Sequence, residues 1–391
     1  MRKALSFLVL ASTSCASMKA WEQPLPGRPG RPGNTLDGVY VPIQTSPEGT
    51  WAVAVTDEDG NWGWASKEIE TPATRAEISG TAGADLFVTT STAGMEVRGI
   101  GALSGEQLFV LALPEAEYGR VGAVISQHEE TRVIGAGLDG RSILIAHFDA
   151  STGHARSIDR ISVYSASKII AAVGSDDQRL TIAYASSHEA PLRLLQLDEG
   201  RVRFDVPVPY SESSPTHTLR VLDLQHRGTG TTLVGQSSQS DLGFWEWNSE
   251  GAFRGLNFRA TSGWSVNAAG LNDLDILLVA RPGGGRMIEY RSGAYWNQLG
   301  SVALPDAVCR VDCQVGVTRH GGVILAGADP AGGYRAWAIP PPEAIARALD
   351  LATGWALIKP KLRPTFFAPW RQNMIAHASE SRNNPRRPHL H

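Results

Sequence analysis

Seven hairpin-like stretches recur along the chain, and this repetition predicts an all-β fold of the β-propeller type. Each stretch has a short apolar run, a turn rich in Gly, Asp or Pro, and a second run with larger side chains. The starts lie about 45 to 50 residues apart, except for the first pair at about 35, and repeats of this length built from short strands are typical of propellers. The hairpins begin near Thr50, Leu86, Arg132, Leu180, Thr231, Ile276 and Val323.

The intervals between the hairpins leave room for two more strands each, which makes four strands per repeat, the number in a propeller blade. Residues 252–260 and 264–269 have this character, and so do residues 201–208 and 218–225. Seven hairpins therefore predict seven blades, with six or eight as alternatives because the second hairpin is irregularly spaced. We expect the apolar runs with small residues, such as VILAG at 323–327, to be the inner strands.

Large aromatic residues mark the second strand of most hairpins. Trp245 and Trp247 are two residues apart, as are Trp62 and Trp64, so each pair shares one face of its sheet. We expect these side chains to pack between neighbouring blades, and an aromatic platform for a ligand is the alternative. Phe148, Tyr290 and Trp337 occupy similar places in other hairpins.

The last hairpin, HGGVILAGADPAGGYRAWAI, resembles the bacterial "delta sixty" β-propeller repeat. That repeat has a Gly, an apolar strand with small residues, a turn, and a strand that carries an aromatic residue. About three of the seven units match it well, and the resemblance implies a propeller fold and little about chemistry. The likeness is carried by Gly322, Ile324, Ala326, Gly327 and Trp337, and more weakly by Gly137, Gly140 and Phe148.

The composition is that of a globular protein with a large core and many turns. Of 391 residues, 42% are hydrophobic and 19% are charged, with 41 Gly and 23 Pro. The net charge of −3 argues against a nucleic-acid-binding protein, which normally presents a strongly basic surface. We assign residues 38–342 to the propeller.

The N-terminus is predicted to be a signal peptide over residues 1–20. Arg2 and Lys3 precede a short apolar segment, which is followed by small residues. Ser12 to Cys15 resembles a bacterial lipoprotein cleavage box, with Cys15 as the lipidated residue, although Ser12 stands where the pattern has Leu. Ordinary cleavage after Ala16 or Ala20 is the alternative. Either route exports the protein, to the periplasm, the outer membrane or the cell surface.

The segments that flank the propeller differ in composition. Residues 21–37 are rich in Pro and Gly and are predicted to be a stiff linker. Residues 343–391 are predicted to form a short helix followed by a disordered basic tail. Because three prolines stop the last hairpin at Pro340, its blade lacks an outer strand, and we expect Val39–Gln44 or a later C-terminal stretch to supply it.

Cys309 and Cys313 are predicted to form a disulfide. Residues four apart in an extended strand lie about 13 Å from each other, too far for the bond, but a turn through Arg310 to Asp312 would close that gap. An oxidising compartment favours such a bond. A metal site is not expected, since no His or further Cys lies nearby to complete four ligands.

No catalytic motif stands out. The chain has no Gly-x-Ser-x-Gly, no His-Glu-x-x-His and no phosphate-binding loop, so we assign no catalytic residue and no cofactor. Asp57 to Asn61 and Glu68 have some of the spacing of a calcium loop, but Trp62 stands where that loop needs Gly. We therefore expect no metal.

The sequence favours a non-catalytic binding or scaffold module that is exported and, with a lipidated Cys15, anchored to a membrane. The expected partner is a protein or a glycan. The alternative is a hydrolase or lyase that acts on glycans or small molecules at the central channel of the propeller. Carboxylates or His on the innermost strands would support that alternative, because the fold by itself decides neither function.

Overall fold

The computed structural model describes most of the chain between Trp21 and Leu349. Nothing is described before residue 21 or after residue 349, so Cys15, the signal peptide and the basic tail lie outside the described residues. Internal gaps fall at residues 35–38, 47–49, 57–61, 66–68, 71–74, 81–84, 92–93, 101–106, 114–117, 128–129, 150–151, 175–177, 187–191, 210–218, 228–229, 237–241, 260–264, 272–273, 281–284, 293–296, 307, 310–312, 319 and 348.

The described residues are almost entirely β-structure. A short helix covers residues 343–347, and Leu349 is helical as well. No helix in these ranges is both long and apolar enough to pass through a membrane. The strands, in chain order, are β1 (Trp21–Leu25), β2 (Arg28–Pro29), β3 (Gly33–Asn34), β4 (Val39–Gln44), β5 (Thr50–Thr56), β6 (Trp62–Ala65), β7 (Ile69–Glu70), β8 (Arg75–Gly80), β9 (Asp85–Ser91), β10 (Gly94–Ile100), β11 (Gln107–Leu113), β12 (Tyr118–Gln127), β13 (Glu130–Gly137), β14 (Ser142–Asp149), β15 (Ala155–Ser162), β16 (Lys168–Gly174), β17 (Arg179–Ala185), β18 (Leu192–Asp198), β19 (Arg201–Pro207), β20 (Arg220–Arg227), β21 (Gly230–Gln236), β22 (Leu242–Trp247), β23 (Phe253–Arg259), β24 (Ser265–Leu271), β25 (Leu274–Ala280), β26 (Arg286–Ser292), β27 (Asn297–Leu304), β28 (Gln314–Val317), β29 (Val323–Ala328) and β30 (Tyr334–Ile339).

These strands form a closed ring of antiparallel sheets. Six sheets are regular blades of four strands, and a further sheet contains β2 to β7. In that sheet β2 and β3 share one edge of β4, and β6 and β7 share the free edge of β5, so its six strands occupy four positions. The first strands of successive sheets contact one another around the ring, from β3 through β8, β12, β16, β20, β24 and β28 back to β3. The prediction of an all-β propeller is therefore confirmed, with six regular blades and one interrupted sheet.

The ring is closed by the start of the chain. β1 pairs with β30 and supplies the outer strand of the last blade, so the expectation that Val39–Gln44 would do so is wrong. Val39–Gln44 is instead β4, the second strand of the interrupted sheet. The predicted linker is corrected as well, because residues 21–34 contain β1, β2 and β3. Pro24 is tolerated in β1 since an edge strand needs no hydrogen bond from that backbone position on its outer side.

The innermost strands are also different from those expected. The apolar runs VIGAG, ILLVA and VILAG belong to β13, β25 and β29, which are second strands, whereas β12, β24 and β28 line the axis. A second strand is flanked by strands on both edges and by blades on both faces, so it is the most buried and the most apolar. The residues of β21 are buried throughout, while those of β16, an innermost strand, are mostly half-buried or exposed.

The described aromatic side chains of the third strands pack between blades, as predicted, whereas the side chains of Trp62 and Trp64 lie outside the part of the chain that the structure describes. Trp245 and Trp247 are each 1% exposed and contact a cluster that includes Leu194 of the preceding blade. This burial is incompatible with the alternative of an aromatic ligand platform at these two residues. In the last blades, Trp337 and Tyr290 belong to a cluster that also contains Ile345 and Leu349 of the helical segment. The short C-terminal helix is thus confirmed, and it packs against the propeller.

Candidate functional site: the mouth of the central channel

Three neighbouring blades carry a basic residue at the same register position, at or near the start of their innermost strands. Arg120 pairs with Ala136, Lys168 with Ala185 and Arg220 with Gln236, each near the end of a second strand. A bulge follows two residues later in every case, at Gly122, Ile170 and Leu222. The three basic residues are therefore structurally equivalent, because both the pairing and the bulge recur.

The close approach of neighbouring inner strands explains why one of these bulges is a glycine. A Cβ atom on Gly122 would lie 2.1 Å from the Cβ atom of Ile169 on the next inner strand. Only a residue without a side chain fits there, since real Cβ atoms do not approach so closely. The bulges bend the inner strands where they enter the channel, which is a common use of bulges near binding sites.

Two further sheets start their inner strands with arginine. Arg28 opens β2 and Arg75 opens β8, while the other two sheets start with Ser265 and Gln314. Five of the seven sheets thus place a basic residue at the same end of the channel. We call this end of the ring the entry face. The basic mouth is the group of Arg31, Lys168 and Arg220 on this face, three basic residues whose side chains the structure describes.

Arg31 spans the channel. It lies between β2 and β3, and its Nη2 atom donates a hydrogen bond of 3.4 Å to the backbone oxygen of Leu222 on β20. The sheets of β2 and β20 are separated by two sheets one way round the ring and by three the other way, so this contact crosses the axis. Because Leu222 is the bulge residue that follows Arg220 by two positions, the contact brings Arg31 close to Arg220.

A chain of polar contacts holds Arg220 on the rim. Its Nη2 atom donates to Oδ1 of Asn267 at 2.9 Å, and Nδ2 of Asn267 donates to the backbone oxygen of Cys313. These partners are neutral amide and carbonyl groups, which orient the guanidinium, and no described carboxylate forms an ion pair with it. Lys168 is exposed and forms no ion pair with any residue that the structure describes. The mouth is basic although the whole chain carries a net charge of −3.

The predicted disulfide joins Cys309 to Cys313 beside this rim, and the prediction is confirmed. The Cα atoms are 5.7 Å apart, and Cys309 has a positive φ of 43°. Arg286 ties the same loop to β26 through its guanidinium. Its Nη1 atom donates to the backbone oxygens of Val308 and Cys309, both at 2.5 Å, and its Nη2 atom donates to that of Asp306 at 2.6 Å.

Removal of this disulfide is expected to destabilise the last blade moderately. The variant C309A/C313A should lose about 2 kcal/mol in the free energy of unfolding, the amount that the loop-entropy relation gives for so short a loop. Urea denaturation of the oxidised protein and of the variant measures the difference. Reductant should lower the midpoint of the unmodified protein to that of the variant and leave the variant unchanged. Equal midpoints for oxidised protein and variant would contradict the prediction.

Two histidines that the sequence left unassigned form polar contacts inside the ring wall. The Nε2 atom of His226 lies 2.7 Å from Oγ1 of Thr181 on the preceding blade, so it links two blades. His147 lies between Glu130 and Asp159, at 2.8 Å and 3.1 Å from their carboxylate oxygens. Burial raises the pKa of Glu130, but hydrogen bonds and charge from His147 and Arg132 outweigh that effect and lower it. The contact of His226 joins two blades, and those of His147 join three strands of one blade, so both histidines have structural contacts.

Other buried polar groups also bind one another. Tyr184 donates to the carboxylate of Asp205 at 2.9 Å, and burial and that carboxylate raise the pKa of its hydroxyl. Asp223 on β20 accepts a hydrogen bond from Gln225, whose amide also reaches Asp275 of the next blade at 3.2 Å. Within the described ranges, no group of three His, Cys, Asp or Glu residues has the arrangement of a metal site. The calcium-like stretch at residues 57–61 lies outside those ranges.

The basic mouth was missed by sequence reasoning, although a signal for it was present. Arg120, Lys168 and Arg220 each precede an apolar residue and a bulge residue, in the stretches RVGA, KIIA and RVLD. An alignment of the first strands, in place of the hairpins, would have placed the three basic residues in one column. The hairpins give the stronger sequence pattern, because their apolar runs and aromatic residues are more regular than the first strands.

Comparisons with known proteins support the fold and do not assign a family. No protein-family model matches the chain, and no curated protein sequence matches it. Among solved structures, a chain of a mitotic checkpoint complex is similar at 14% identity with a TM-score of 0.54, over 87% of this chain and 100% of that chain. Hydrazine synthase of Kuenenia stuttgartiensis aligns at 10% identity with a TM-score of 0.54, over 84% of this chain and 98% of that one.

A third similar structure is the WD40 domain of Pan2 from Neurospora crassa. It aligns at 12% identity with a TM-score of 0.51, over 81% of this chain and 90% of that chain. Identities this low establish a shared propeller fold and carry no statement about chemistry. The chemistry of the site therefore has to follow from its own residues.

Proposed function

We propose that this protein is a non-catalytic binding module that docks a protein partner on its entry face. The observation that carries the proposal is a pair of exposed apolar side chains on that face, Leu138 and Tyr164, which are 60% and 73% exposed. Large apolar residues cost free energy in water, and adjacent ones on a rigid loop often mark an interaction surface. The propeller neighbours that come from assemblies, such as the mitotic checkpoint complex, agree with this type of role.

The two residues belong to one rigid element. Leu138 lies in the turn between β13 and β14, and Tyr164 lies in the connection from β15 to β16. Backbone hydrogen bonds from Val163 to Arg141 and from Ala166 to Gly140, of 2.9 Å and 2.8 Å, join the turn to the connection. Since Lys168 follows this connection directly, the apolar pair is continuous with the basic mouth. We call Leu138 and Tyr164 the apolar pair.

The alternative of an enzyme in the central channel is not favoured by any contact of the described inner strands. His226 and Asp223 are the types of residue that such a site would need, and both lie on the innermost strand β20. Their side chains bind Thr181 and Gln225 in the blade walls, so they are engaged in structural contacts. The protein-binding function therefore accounts for the exposed apolar pair, which an enzyme site in the channel does not explain.

Export and lipid anchoring are part of this proposal. The basic and apolar start of the chain supports export, and the disulfide between Cys309 and Cys313 is the kind of bond that persists in oxidising compartments. The intact mass of protein purified from its native membrane fraction tests both points. A chain that starts at an acylated Cys15 supports the anchor, whereas a start at Ser17 or Trp21 without added lipid supports free export. A retained Met1 would refute export.

Substitution of Leu138 by Asp is expected to weaken partner binding at least tenfold, because a charge on the apolar pair must be desolvated on docking. A photoreactive residue at position 164 would first identify the partner in its native cells. The purified partner is then titrated against the unmodified protein and L138D by calorimetry.

The matched control is V202D. Val202 is 52% exposed and lies on β19, near the opposite end of the ring, so this change should leave the affinity for the partner within about twofold. An equal loss of partner affinity in L138D and V202D would show a general effect on the fold. Unchanged binding by L138D would refute docking on the apolar pair.

A further inference from the structure

We propose that the basic mouth binds a compact polyanion, a small molecule with two or more phosphate or carboxylate groups. This site adjoins the apolar pair but consists of other residues, and it goes beyond the protein-binding function. Arg120, Lys168 and Arg220 recur at one register position on three consecutive inner strands, each before a bulge. The fold therefore repeats a basic residue at one level of the channel.

Arg31 and Arg220 are held in place by neutral hydrogen-bond acceptors. Leu222 is a bulge residue and takes no part in the strand pairing. From across the axis, Arg31 donates a hydrogen bond to the backbone oxygen of Leu222. Arg220 donates to Asn267 on the neighbouring inner strand. Each of these two guanidinium groups uses one nitrogen for a neutral partner and keeps further donors for a ligand, since a guanidinium has five N–H groups. Such planar donors suit phosphate and carboxylate oxygens.

Three described acidic residues in this part of the ring, Asp223, Asp329 and Glu22, have partners of their own. Asp223 is 8% exposed and accepts a hydrogen bond from Gln225 between the blades. Asp329 and Glu22 both pair with Arg335 at the outer part of the last blade, at 2.6 Å and 2.7 Å. Arg286 binds the backbone oxygen of Asp306, and this residue is exposed on the disulfide loop. Among the residues that the structure describes, no carboxylate pairs with Arg31, Lys168 or Arg220, so these three groups can bind an external anion.

The width of the channel limits the size of the ligand. One arginine side chain is long enough to connect the interrupted sheet to the opposite inner strand, so the mouth at this level is narrow. An anion with a few charged groups can contact Arg31, Lys168 and Arg220 together. A nucleic-acid helix or a folded domain is too wide to enter.

Calorimetric titration of the full mature protein at low ionic strength tests the proposal, with pyrophosphate and citrate as probes. We expect saturable binding of at least one of them, and the stronger probe shows whether phosphate or carboxylate chemistry is preferred. R31Q and R220Q should each weaken that binding about tenfold or more, and K168Q by less, because a guanidinium provides two hydrogen bonds and an ammonium acts as a point charge.

The matched control is R254Q. Arg254 is 57% exposed on the outer strand β23, so its removal changes the net charge equally but should leave the affinity within twofold. Thermal unfolding of each variant verifies that the ring is intact. The proposal would be overturned if neither probe binds. It would also be overturned if R31Q, R220Q and R254Q bind the stronger probe with equal affinity. A hexaglutamate peptide that binds more tightly than either probe would overturn it as well, since it would indicate an extended ligand.

Discussion

A chain that begins at residue 26 is expected to lose about 4 kcal/mol or more of unfolding free energy and to aggregate, compared with a chain that begins at residue 21. The shorter chain lacks β1, which pairs along its whole length with β30 and closes the ring. Leu25 is 8% exposed and packs with Ile324 and Ala338, and burial of such a side chain contributes about 2 kcal/mol. The lost backbone hydrogen bonds contribute about 1 kcal/mol each, less the chain entropy that is regained.

Aggregation is expected because the truncation exposes the edge of β30. An unpaired edge strand is a template for pairing with another chain. Thermal unfolding and light scattering measure the two effects. The control is E22Q in the longer chain, which removes the exposed ion pair with Arg335 and should change stability by less than about 1 kcal/mol. A truncated protein that remains monomeric and as stable as the longer chain would show that β1 does not close the ring.

Substitution of Trp245 by Ala is expected to destabilise the protein by about 3 to 5 kcal/mol, the range for removal of a buried aromatic side chain. Trp245 is 1% exposed and fills the space between two blades, against Leu194 and Leu233. Its Nε1 atom also donates a hydrogen bond of 2.9 Å to the backbone oxygen of Pro209. Both the packing and the hydrogen bond are lost in the variant. Equilibrium urea denaturation measures the change.

Two controls separate these contributions. W245F keeps an aromatic ring and removes the indole donor, so it should cost less than W245A. F253A removes an aromatic side chain that is 44% exposed and should cost about 1 kcal/mol or less. A W245A protein with a loss similar to that of F253A would refute the conclusion that the blades depend on this residue for their packing.

Much of the propeller was predictable because its hairpins are local. In each hairpin, the apolar run and the aromatic run are joined by a short turn, so the pattern lies within about 20 residues and is visible in one stretch. The packing of Trp245 and Trp247 followed from their spacing of two. The disulfide followed from the short spacing of Cys309 and Cys313 in the sequence, which a turn can bridge.

The closing strand was not predictable in the same way. Residues 21–34 contain so many Pro and Gly that composition indicates a linker, and only the free edge of β30 turns Trp21–Leu25 into a strand. The inner strands were misassigned for a related reason. Hydrophobicity identifies the most buried strand, which in a ring of blades is the second strand, since the first borders the channel.

The sequence by itself determined that the chain is a β-repeat protein whose aromatic residues pack between units and whose last two cysteines pair. These features depend on neighbours in sequence, and local patterns of hydrophobicity and turn chemistry record them. Only the tertiary structure decided which strands face the axis and which strand closes the ring. It also decided that Arg31, Lys168 and Arg220 meet at one mouth, because closure of the ring joins inner strands that lie far apart along the chain.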